Sequence, residues 1–351
     1  WAVNFGKNLG LETIKDEVGN VIIRKPATPG KENCKGVVLQ GHLDMVPQKN
    51  SDKTHDFEKD PIEAMVDGEW VKANGTTLGS DNGIGVSAAM AVLASDKIKH
   101  GPVEVLLTAT EETGMDGANG LKPGLLNGDI LINMDSEDEG ELYVGCAGGE
   151  DVNAKFRYTE KKTCKNYVGM KLSVTGMKGG HSGIDIVLGR GNAIKVFFRI
   201  LNAAYKQFGI RLANIEGGSL RNAIPREAFG VIAVKAKKVE DLKLMVEELT
   251  ATIKSELAVT EPTLTISMEE VKRPKTLIAK KVQKNLTAAI VACPNAVIRM
   301  SDSMPGLVET STNLAIVKSD TKKKIISAAC LMRSSVDSAK EDLGTSIKAV
   351  F

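Results

Sequence analysis

Three short apolar runs constrain the fold of this 351-residue chain more than any other feature. They cover residues 37–41, 103–110 and 129–134. Each has the length and the apolar content of a strand buried in a parallel sheet. Between the first two runs lies a glycine-rich loop, residues 74–83, which leads into a helix of small residues predicted from Ile84 to Ala94. Strands that alternate with a helix predict α/β layering.

Side chains able to bind or orient a metal ion follow each apolar run, and one more lies in the glycine-rich loop. They are, in chain order, His42, Asp44, Asp81, Glu111, Glu112 and Asp135. Ligands of an open parallel sheet bind beyond the carboxyl ends of the strands, so we expect one crevice to collect these groups. So many carboxylates repel one another unless a cation lies among them. A donor set rich in oxygen with one histidine suits Zn²⁺, Mn²⁺ or Co²⁺, and it could hold a pair of ions that activates a bridging water.

The period of a β-strand assigns directions to these side chains if strand geometry continues beyond the apolar runs. His42 and Asp44 then fall on the same side, where the carboxylate could take the second imidazole N–H and orient the ring. Glu111 and Glu112 are neighbours and then point in opposite directions, which suits one to a metal ion and the other to general-base catalysis. For any single acid of the set, a loop carboxylate or a helix N-cap without a metal is the alternative.

Composition excludes two classes of partner. The chain has 46 basic and 44 acidic residues and a net charge of +2, which provides no global field for nucleic acid or an anionic membrane. No apolar run approaches the ~18–20 residues that span a bilayer. The five cysteines are scattered without C-x-x-C spacing. They are therefore expected to be free thiols of a reducing compartment, and we expect a cytoplasmic protein.

The pattern changes near residue 151, so we predict one domain over residues 1–150 and a second α/β domain over 151–351. The order of elements in the second domain nearly repeats. The first round is a strand at 167–175, a helix at 190–207, strands at 210–219 and 224–235, and a helix at 239–258. The second round is a strand at 263–271, a helix at 277–292, strands near 296–301, 307–317 and 324–332, and a helix from Asp337. The second domain is therefore predicted to consist of two similar halves.

Several motifs carry a resemblance to a known family. The first domain contains GHLDMV at residues 41–46, LGSDNGIG at 78–85, TEETG at 110–114 and NMDSE at 133–137. The second contains GGHSG at residues 179–183, GRGNA at 189–193 and GSLRNAIPR at 218–226. In this order the motifs resemble those of the M20 family of metallopeptidases, and within it the aminoacyl-histidine dipeptidase (Xaa-His dipeptidase, peptidase D) branch. The resemblance covers essentially the whole chain.

The resemblance implies an α/β fold with a three-layer catalytic domain, which has a mixed, mostly parallel sheet, and an α/β lid domain with two similar βαββα-type halves. In this family the chain returns after the lid to complete the catalytic domain, and the returning part supplies a last metal-binding histidine. The histidines of this sequence are His42, His55, His100 and His181. None stands at that place, so we expect the returning part to be absent, which would leave one metal ion short of a ligand and apolar surface exposed.

The resemblance also implies a metal site with two divalent ions. Zn²⁺ is favoured, and Co²⁺ and Mn²⁺ are the alternatives. Carried over by position, His42 and Asp135 would each bind one ion and Asp81 would bridge the two. Glu112 would be a further ligand. The family has a cis peptide bond after the bridging residue, which here would join Asp81 to Asn82.

Roles in catalysis and substrate binding follow from the same resemblance. Glu111 would be the general base that deprotonates the bridging water, and Asp44 would orient the metal-binding histidine. In the lid, His181 and Asn222 would stabilise the tetrahedral oxyanion or hold the scissile carbonyl. Arg333, within LMRSS at residues 331–335, would bind the C-terminal carboxylate of the substrate.

Together these roles predict hydrolysis of the peptide bond of Xaa-His and related dipeptides by metal-activated water. An M20 deacylase acting on N-acyl amino acids would use the same chemistry, but the doubled order of elements in the lid favours the dipeptidase. A non-catalytic metal-binding protein on the same fold is the other alternative, and Glu111, a base with no role in binding metal, argues against it. The expected partners are small dipeptides, and a homodimer is left open.

Overall fold

The computed structural model describes residues 1–136, 140–143 and 145–351. Contacts divide the chain into two compact units, Trp1–Val144 and Gly145–Phe351. The sequence placed this boundary at residue 150. Each unit has its own main sheet and its own hydrophobic core.

The first unit is built on a mixed five-stranded sheet. Its elements are α1 (Ala2–Asn8), β1 (Glu12–Lys15), β2 (Val21–Lys25), β3 (Val37–His42), β4 (Ala64–Asp67), β5 (Trp70–Ala73), α2 (Ser80–Ala94), β6 (Val103–Thr108), α3 (Glu111–Gly114), α4 (Asp116–Gly120) and β7 (Ile130–Asn133). The strand order is β1-β2-β6-β3-β7, and β4 and β5 form a separate hairpin. Only β2 runs against its neighbours, so the other four strands point the same way. The prediction of a mixed, mostly parallel sheet is confirmed.

The register of the parallel strands brings their carboxyl ends together. Strand β3 lies between β6 and β7, with His42 opposite Thr108 and Gln40 opposite Asn133. Residues that follow these three strands therefore emerge at one edge of the sheet. The register thus accounts for the convergence of side chains that are far apart in the sequence.

The two faces of this sheet are covered differently. Helices α1 and α2 pack on one face, where Ala89 and Leu93 contribute to the core. On the other face, Leu121, Leu125 and Leu126 pack over a core of Ile22, Val38 and Leu106. The prediction that the third apolar run is a buried strand is wrong, because β7 is an edge strand and Ile130, Leu131 and Ile132 are exposed.

The second unit is built on an antiparallel eight-stranded sheet. The eight strands of this sheet are β8 (Gly148–Arg157), β10 (Tyr167–Thr175), β12 (Arg211–Gly217), β14 (Ala228–Lys235), β15 (Thr265–Val271), β17 (Ala296–Met300), β18 (Val308–Asp320) and β19 (Ile325–Ser334). Two further pairs lie outside it: β9 (Glu160–Lys162) with β16 (Thr276–Ile278), and β11 (Gly180–His181) with β13 (Ala223–Ile224). Its α-helices are α5 (Ala193–Phe208), α6 (Val239–Glu256), α7 (Lys280–Ala292) and α8 (Asp337–Val350). Short 3₁₀ turns occupy Asp185–Leu188 and Ala236–Lys238.

The predicted doubling of the second unit is visible in this sheet. The strand order is β15-β10-β14-β12-β18-β19-β8, with β17 paired to β18. Strands β12 and β18 form the central pair, and each half continues outward with an adjacent hairpin partner, β14 or β19. Strand β8 lies beside β19 in the same way that β10 lies beside β14, whereas β15 pairs with β10 at the other edge of the sheet. The positions of β8 and β15 depend on long-range pairing, so the order of elements along the chain does not predict them.

Helix α5 shows how the core of the second unit forms. The side chain of Asn192 caps the helix by accepting hydrogen bonds from the N–H groups of Ile194 and Lys195. Gly209 ends it in the left-handed conformation at φ 67°. Phe197 and Phe198 are fully buried on its apolar face, and each contributes about 1.5–3 kcal/mol by leaving water.

The structure bears on the expectations about membrane spans and cysteines. Among the residues that the structure describes, no helix combines the length and the apolar character that crossing a membrane requires. All five cysteines are free. Cys293 and Cys330 are buried with their Sγ atoms 3.7 Å apart, whereas Cys34, Cys146 and Cys164 are exposed.

Candidate active site

His42 is the last residue of β3 and is only 2% exposed. Its Nδ1 lies 2.9 Å from the backbone carbonyl oxygen of Asp44. A carbonyl can only accept, so Nδ1 carries the proton of this hydrogen bond. Nε2 faces Asp81 Oδ1 at 3.0 Å and Asp135 Oδ1 at 3.4 Å. The ring is therefore held by one nitrogen and presents the other to a pair of carboxylates, the usual arrangement of a metal-binding histidine.

The structure corrects the geometry expected of Asp44. Strand β3 ends at His42, so the alternation of a strand does not extend to residue 44. The Asp44 carboxylate is 3.5 Å from His42 Nδ1, farther than its own backbone carbonyl. That carboxylate instead accepts hydrogen bonds from the backbone N–H groups of Glu111 and Glu112, at 3.0 and 3.1 Å. Asp44 thus contacts His42 through its main chain and the two glutamates through its side chain.

Glu111 and Glu112 lie in the short helix α3, not in a continuation of β6. Strand β6 ends at Thr108, and Thr110 then turns the chain with a left-handed backbone at φ 53°. The prediction that the two glutamates point in opposite directions is therefore wrong. Ligand atoms of both lie within 4.8 Å of one another and of a ring nitrogen of His42.

Asp81 is in the first turn of α2, which begins after Gly79 in the left-handed conformation at φ 80°. The peptide bond between Asp81 and Asn82 is cis, as the resemblance implied. Asn82 is buried, and its side chain joins two strand ends: Oδ1 accepts from the N–H of His42 at 3.3 Å and Nδ2 donates to Met134 O at 2.8 Å. The sequence offered no sign of this role beyond its place next to Asp81.

Asp135 follows β7, and its N–H donates to the side chain of Asn133 at 3.1 Å. Ligand atoms of His42, Asp81 and Asp135 lie within 4.8 Å of one another. His42 thus belongs to two groups of potential ligands, one with Asp81 and Asp135 and one with both glutamates. Glu137, the last residue of the fourth motif, lies outside the described residues.

Electrostatics show that this cluster favours a positive charge at its centre. Burial alone lowers the pKa of His42, but hydrogen bonds and charges from Asp135 and Asp81 outweigh it and raise the pKa to about 11. Burial, with the charges of Asp81 and Glu111, raises the pKa of Glu112 to about 7. A divalent cation would supply positive charge to all these groups at once, so the donor set fits a metal ion.

The three site residues predicted in the second unit also come together. Strands β11 and β13 pair His181 with Ala223, and the carbonyl of Asn222 accepts from the N–H of Ser182 at 2.7 Å. Arg333 Nη2, on β19, lies 3.5 Å from His181 Nε2. The N–H of Ile184 faces His181 Nδ1 at 3.3 Å, and the guanidinium, which can only donate, faces Nε2. The imidazole and the guanidinium thus lie side by side.

One residue that sequence reasoning missed supports the loop that carries His181. Glu261 is buried, and its carboxylate accepts from the N–H of Lys178 at 2.7 Å and from that of Gly191 at 2.8 Å. These two residues flank the loop. An acid beyond the end of a helix gives no sequence signal of such a contact, because its partners are 83 and 70 residues away.

The chain is similar to several known proteins. Residues 172–261 match a family model described as a peptidase dimerisation domain of the M20 type. A cytosol non-specific dipeptidase of Escherichia coli (strain K12) is 49% identical over 341 residues, which are 97% of this chain and 70% of that protein. The crystal structure of an aminoacylhistidine dipeptidase from Vibrio alginolyticus is 48% identical, with a TM-score of 0.63, over 99% of this chain and 71% of that one.

Identity of this extent, over nearly the whole chain, reflects common descent and not a shared fold alone. The structure gathers His42, Asp81 and Glu111 at one sheet edge. This chain belongs to the M20 family of metallopeptidases, in its aminoacyl-histidine dipeptidase branch.

Proposed function

We propose that the chain is a metal-dependent dipeptidase that hydrolyses the peptide bond of Xaa-His and related dipeptides. The single observation that supports this most strongly is the sharing of His42 between two groups of potential metal ligands. The names of the two relatives, a non-specific dipeptidase and an aminoacylhistidine dipeptidase, support the substrate class.

The proposed metal site holds two divalent ions, with Zn²⁺ favoured and Co²⁺ or Mn²⁺ as alternatives. His42 and Asp135 would each bind one ion, Asp81 would bridge the pair and Glu112 would add a ligand. When bound, the ions would supply Lewis-acid chemistry that acidifies the attacking water and polarises the scissile carbonyl. The convergence of these ligand atoms within 4.8 Å supports the assignment.

Glu111 is proposed as the general base. Burial raises its pKa, the charge of His42 opposes this, and the charges of Asp135 and Asp44 add to it. A carboxylate with a raised pKa accepts a proton more readily than an ordinary one. Glu111 would take a proton from the attacking water and later pass it to the leaving amine.

In the second unit, proposed as the lid, we assign His181 and Asn222 to the oxyanion and Arg333 to the C-terminal carboxylate of the substrate. Support comes from the His181 imidazole and the Arg333 guanidinium, which lie side by side. A guanidinium binds a carboxylate through its N–H groups, and a histidine side chain can stabilise an oxyanion.

Two further proposals concern the oligomeric state and the location of the protein. The matched dimerisation domain supports a homodimer. The name of the Escherichia coli relative supports a cytoplasmic enzyme.

Two variants of adjacent residues test the assigned roles. We expect Glu111→Gln to abolish turnover of Xaa-His dipeptides while the bound metal remains, because the amide cannot accept the proton. Glu112→Gln should instead weaken metal binding, because one charged ligand is lost. Dipeptide hydrolysis and metal content, measured on both purified variants, separate the two effects.

Near-normal turnover by Glu111→Gln would refute the assignment of the base. N-acetyl amino acids, assayed in parallel, distinguish a deacylase: turnover of these alone would overturn the dipeptidase proposal. Stoichiometric metal without turnover of either substrate class would indicate a non-catalytic metal-binding protein.

A further inference from the structure

Asn20 is 0% exposed although it lies in the turn between β1 and β2. Its side-chain amide reaches out of that turn toward a different part of the chain. Oδ1 accepts from the backbone N–H of Ala109 at 3.1 Å, and Nδ2 donates to the carbonyl of Gly117 at 2.8 Å. A second Nδ2 proton is donated to Asp16 Oδ2 at 2.7 Å. The amide is thus fully used inside the protein.

The two backbone groups that Asn20 joins are the ends of one loop. Gly117 also donates its N–H to the carbonyl of Ala109 at 3.1 Å, so the main chain closes on itself between these residues. A Cβ on Gly117 would lie 2.4 Å from Ala109 O and 2.4 Å from Asn20 Oδ1. Only glycine therefore fits against Asn20 at this closure.

This loop contains Glu111 and Glu112. Its backbone is left-handed at Thr110, φ 53°, and at Met115, φ 59°, a conformation that residues other than glycine rarely adopt. External contacts must therefore hold it. Asp44 holds the N–H groups of the two glutamates from one side. Asn20 holds the ends of the loop.

The turn between β1 and β2 does not need the Asn20 amide. Asp16 Oδ1 accepts from the N–H of Val18 at 3.1 Å and from that of Asn20 at 2.8 Å. Asp16 N–H donates to the carbonyl of Asn20, which pairs the ends of the turn. Asp16 and the main chain build the turn. The Asn20 side chain gives one N–H to Asp16 and directs its other N–H and its oxygen to the 109–117 loop.

We infer that Asn20 is a positioning residue for Glu111 and Glu112: through the backbone of residues 109–117 it places both carboxylates against His42. The inference rests on the roles proposed for these glutamates. It assigns a function to a turn residue outside every motif that identifies the family.

The test replaces Asn20 with alanine and compares it with a matched buried amide. Gln283 is also 0% exposed, and it likewise bridges two backbone groups: it accepts from Leu212 N–H at 2.9 Å and donates to Ile210 O at 3.1 Å. Gln283 and both of these partners belong to the second unit, whereas the 109–117 loop belongs to the first. Zn²⁺ affinity would be measured by competition with a chromogenic chelator, together with thermal unfolding and the kcat and KM of dipeptide hydrolysis.

We expect Asn20→Ala to lower Zn²⁺ affinity and kcat on the order of 10- to 100-fold with little change in KM, as loss of support behind metal ligands does elsewhere. Gln283→Ala should lower the unfolding temperature similarly but leave Zn²⁺ affinity within about 3-fold, since a merely structural loss of a buried amide does not displace the ligands. Unchanged affinity in Asn20→Ala, or an equal loss in Gln283→Ala, would overturn the inference.

If Asn20→Ala does not fold, Gly117→Ala tests the inference in the same assays. Its added Cβ would push against Ala109 and Asn20 and so separate the two ends of the loop. Failure of the proposed function has a different signature. A wild-type chain that binds Zn²⁺ but hydrolyses no dipeptide would refute the proposed dipeptidase function. The effect of Asn20→Ala on Zn²⁺ affinity would still test whether Asn20 positions the two glutamates.

Discussion

At the scale of single residues, the candidate site depends on backbone groups as much as on side chains. The carbonyl of Asp44 orients His42, and the N–H groups of Glu111 and Glu112 bind the Asp44 carboxylate. Asn82 joins the N–H of His42 to the carbonyl of Met134. Each such contact fixes the position of a proposed metal ligand, although the contacting group does not itself bind metal. Replacing the contacting group should therefore alter metal binding and activity more than the stability of the fold.

Asp44→Asn tests this expectation. An amide offers only one acceptor oxygen, and its NH₂ group would face the second backbone N–H. We expect the turn that carries Glu111 and Glu112 to shift, with a fall in kcat and in Zn²⁺ affinity on the order of 10- to 100-fold. Steady-state kinetics and a chelator competition assay measure the two quantities.

Asp129→Asn is the matched control. Asp129 Oδ2 accepts from a single N–H, that of Gly36 at 2.9 Å, and an asparagine oxygen can replace it. Activity and Zn²⁺ affinity should then stay within about 2-fold of the wild type. Equal losses in the two variants would show that Asp44 acts only through the stability of the fold.

At the scale of elements, helix α2 packs against the strand ends of the site because it contains small residues. Gly85 is buried, and a Cβ there would lie 2.3 Å from the carbonyl oxygen of Met134, in the chain that leads to Asp135. Gly83, two residues earlier in the same helix, is exposed, and a Cβ added there would meet nothing within 4 Å. Alanine substitutions at the two positions therefore distinguish the effect of close packing from the effect of helix propensity.

Gly85→Ala should lower the free energy of unfolding by about 1–3 kcal/mol, because the backbone of Met134 must move. Gly83→Ala should leave it unchanged or raise it by up to about 1 kcal/mol, since alanine favours a helix over glycine. Urea denaturation of both variants measures the difference. Equal effects would mean that α2 does not pack as tightly as the structure shows.

At the scale of the whole molecule, each unit has its own sheet and its own core. All the proposed metal ligands belong to the first unit, Trp1–Val144. Binding of a metal ion to the native state stabilises the part of the structure that contains its ligands. Chelation should therefore destabilise the two units to different extents.

Hydrogen exchange monitored by mass spectrometry can measure this difference. With free Zn²⁺ at about 100 times its Kd, we expect protection of β3 and β6 to exceed that of the chelated protein by up to about 2.7 kcal/mol. Peptides from β18 and β19 should change little, because no proposed metal ligand lies in their unit. An equal loss of protection in both units after chelation would contradict the assignment of the ligands.

Most elements were predictable from the sequence because their signals are local. The apolar run at 37–41 became β3, and the periodic segment from Asp337 became α8. The doubled order of the second unit matches the inner strands of its sheet, but β8 and not β15 flanks β19. The prediction was wrong where a backbone conformation departs from the pattern. Strand β6 ends at Thr108, and Thr110 then turns the chain in the left-handed region, so both glutamates lie beside His42 instead of on opposite sides.

The sequence by itself determined the fold class, the family and the set of residues around His42, because strand patterns and motif order can be read along the chain. Only the tertiary structure decided which atoms hold those residues. The amide of Asn20 meets Ala109 and Gly117 across 89 and 97 positions of sequence. The carboxylate of Asp44 meets Glu111 across 67. Hydrogen bonds of such range arise from the pairing of β2, β3 and β6 in one sheet, and no local pattern encodes them.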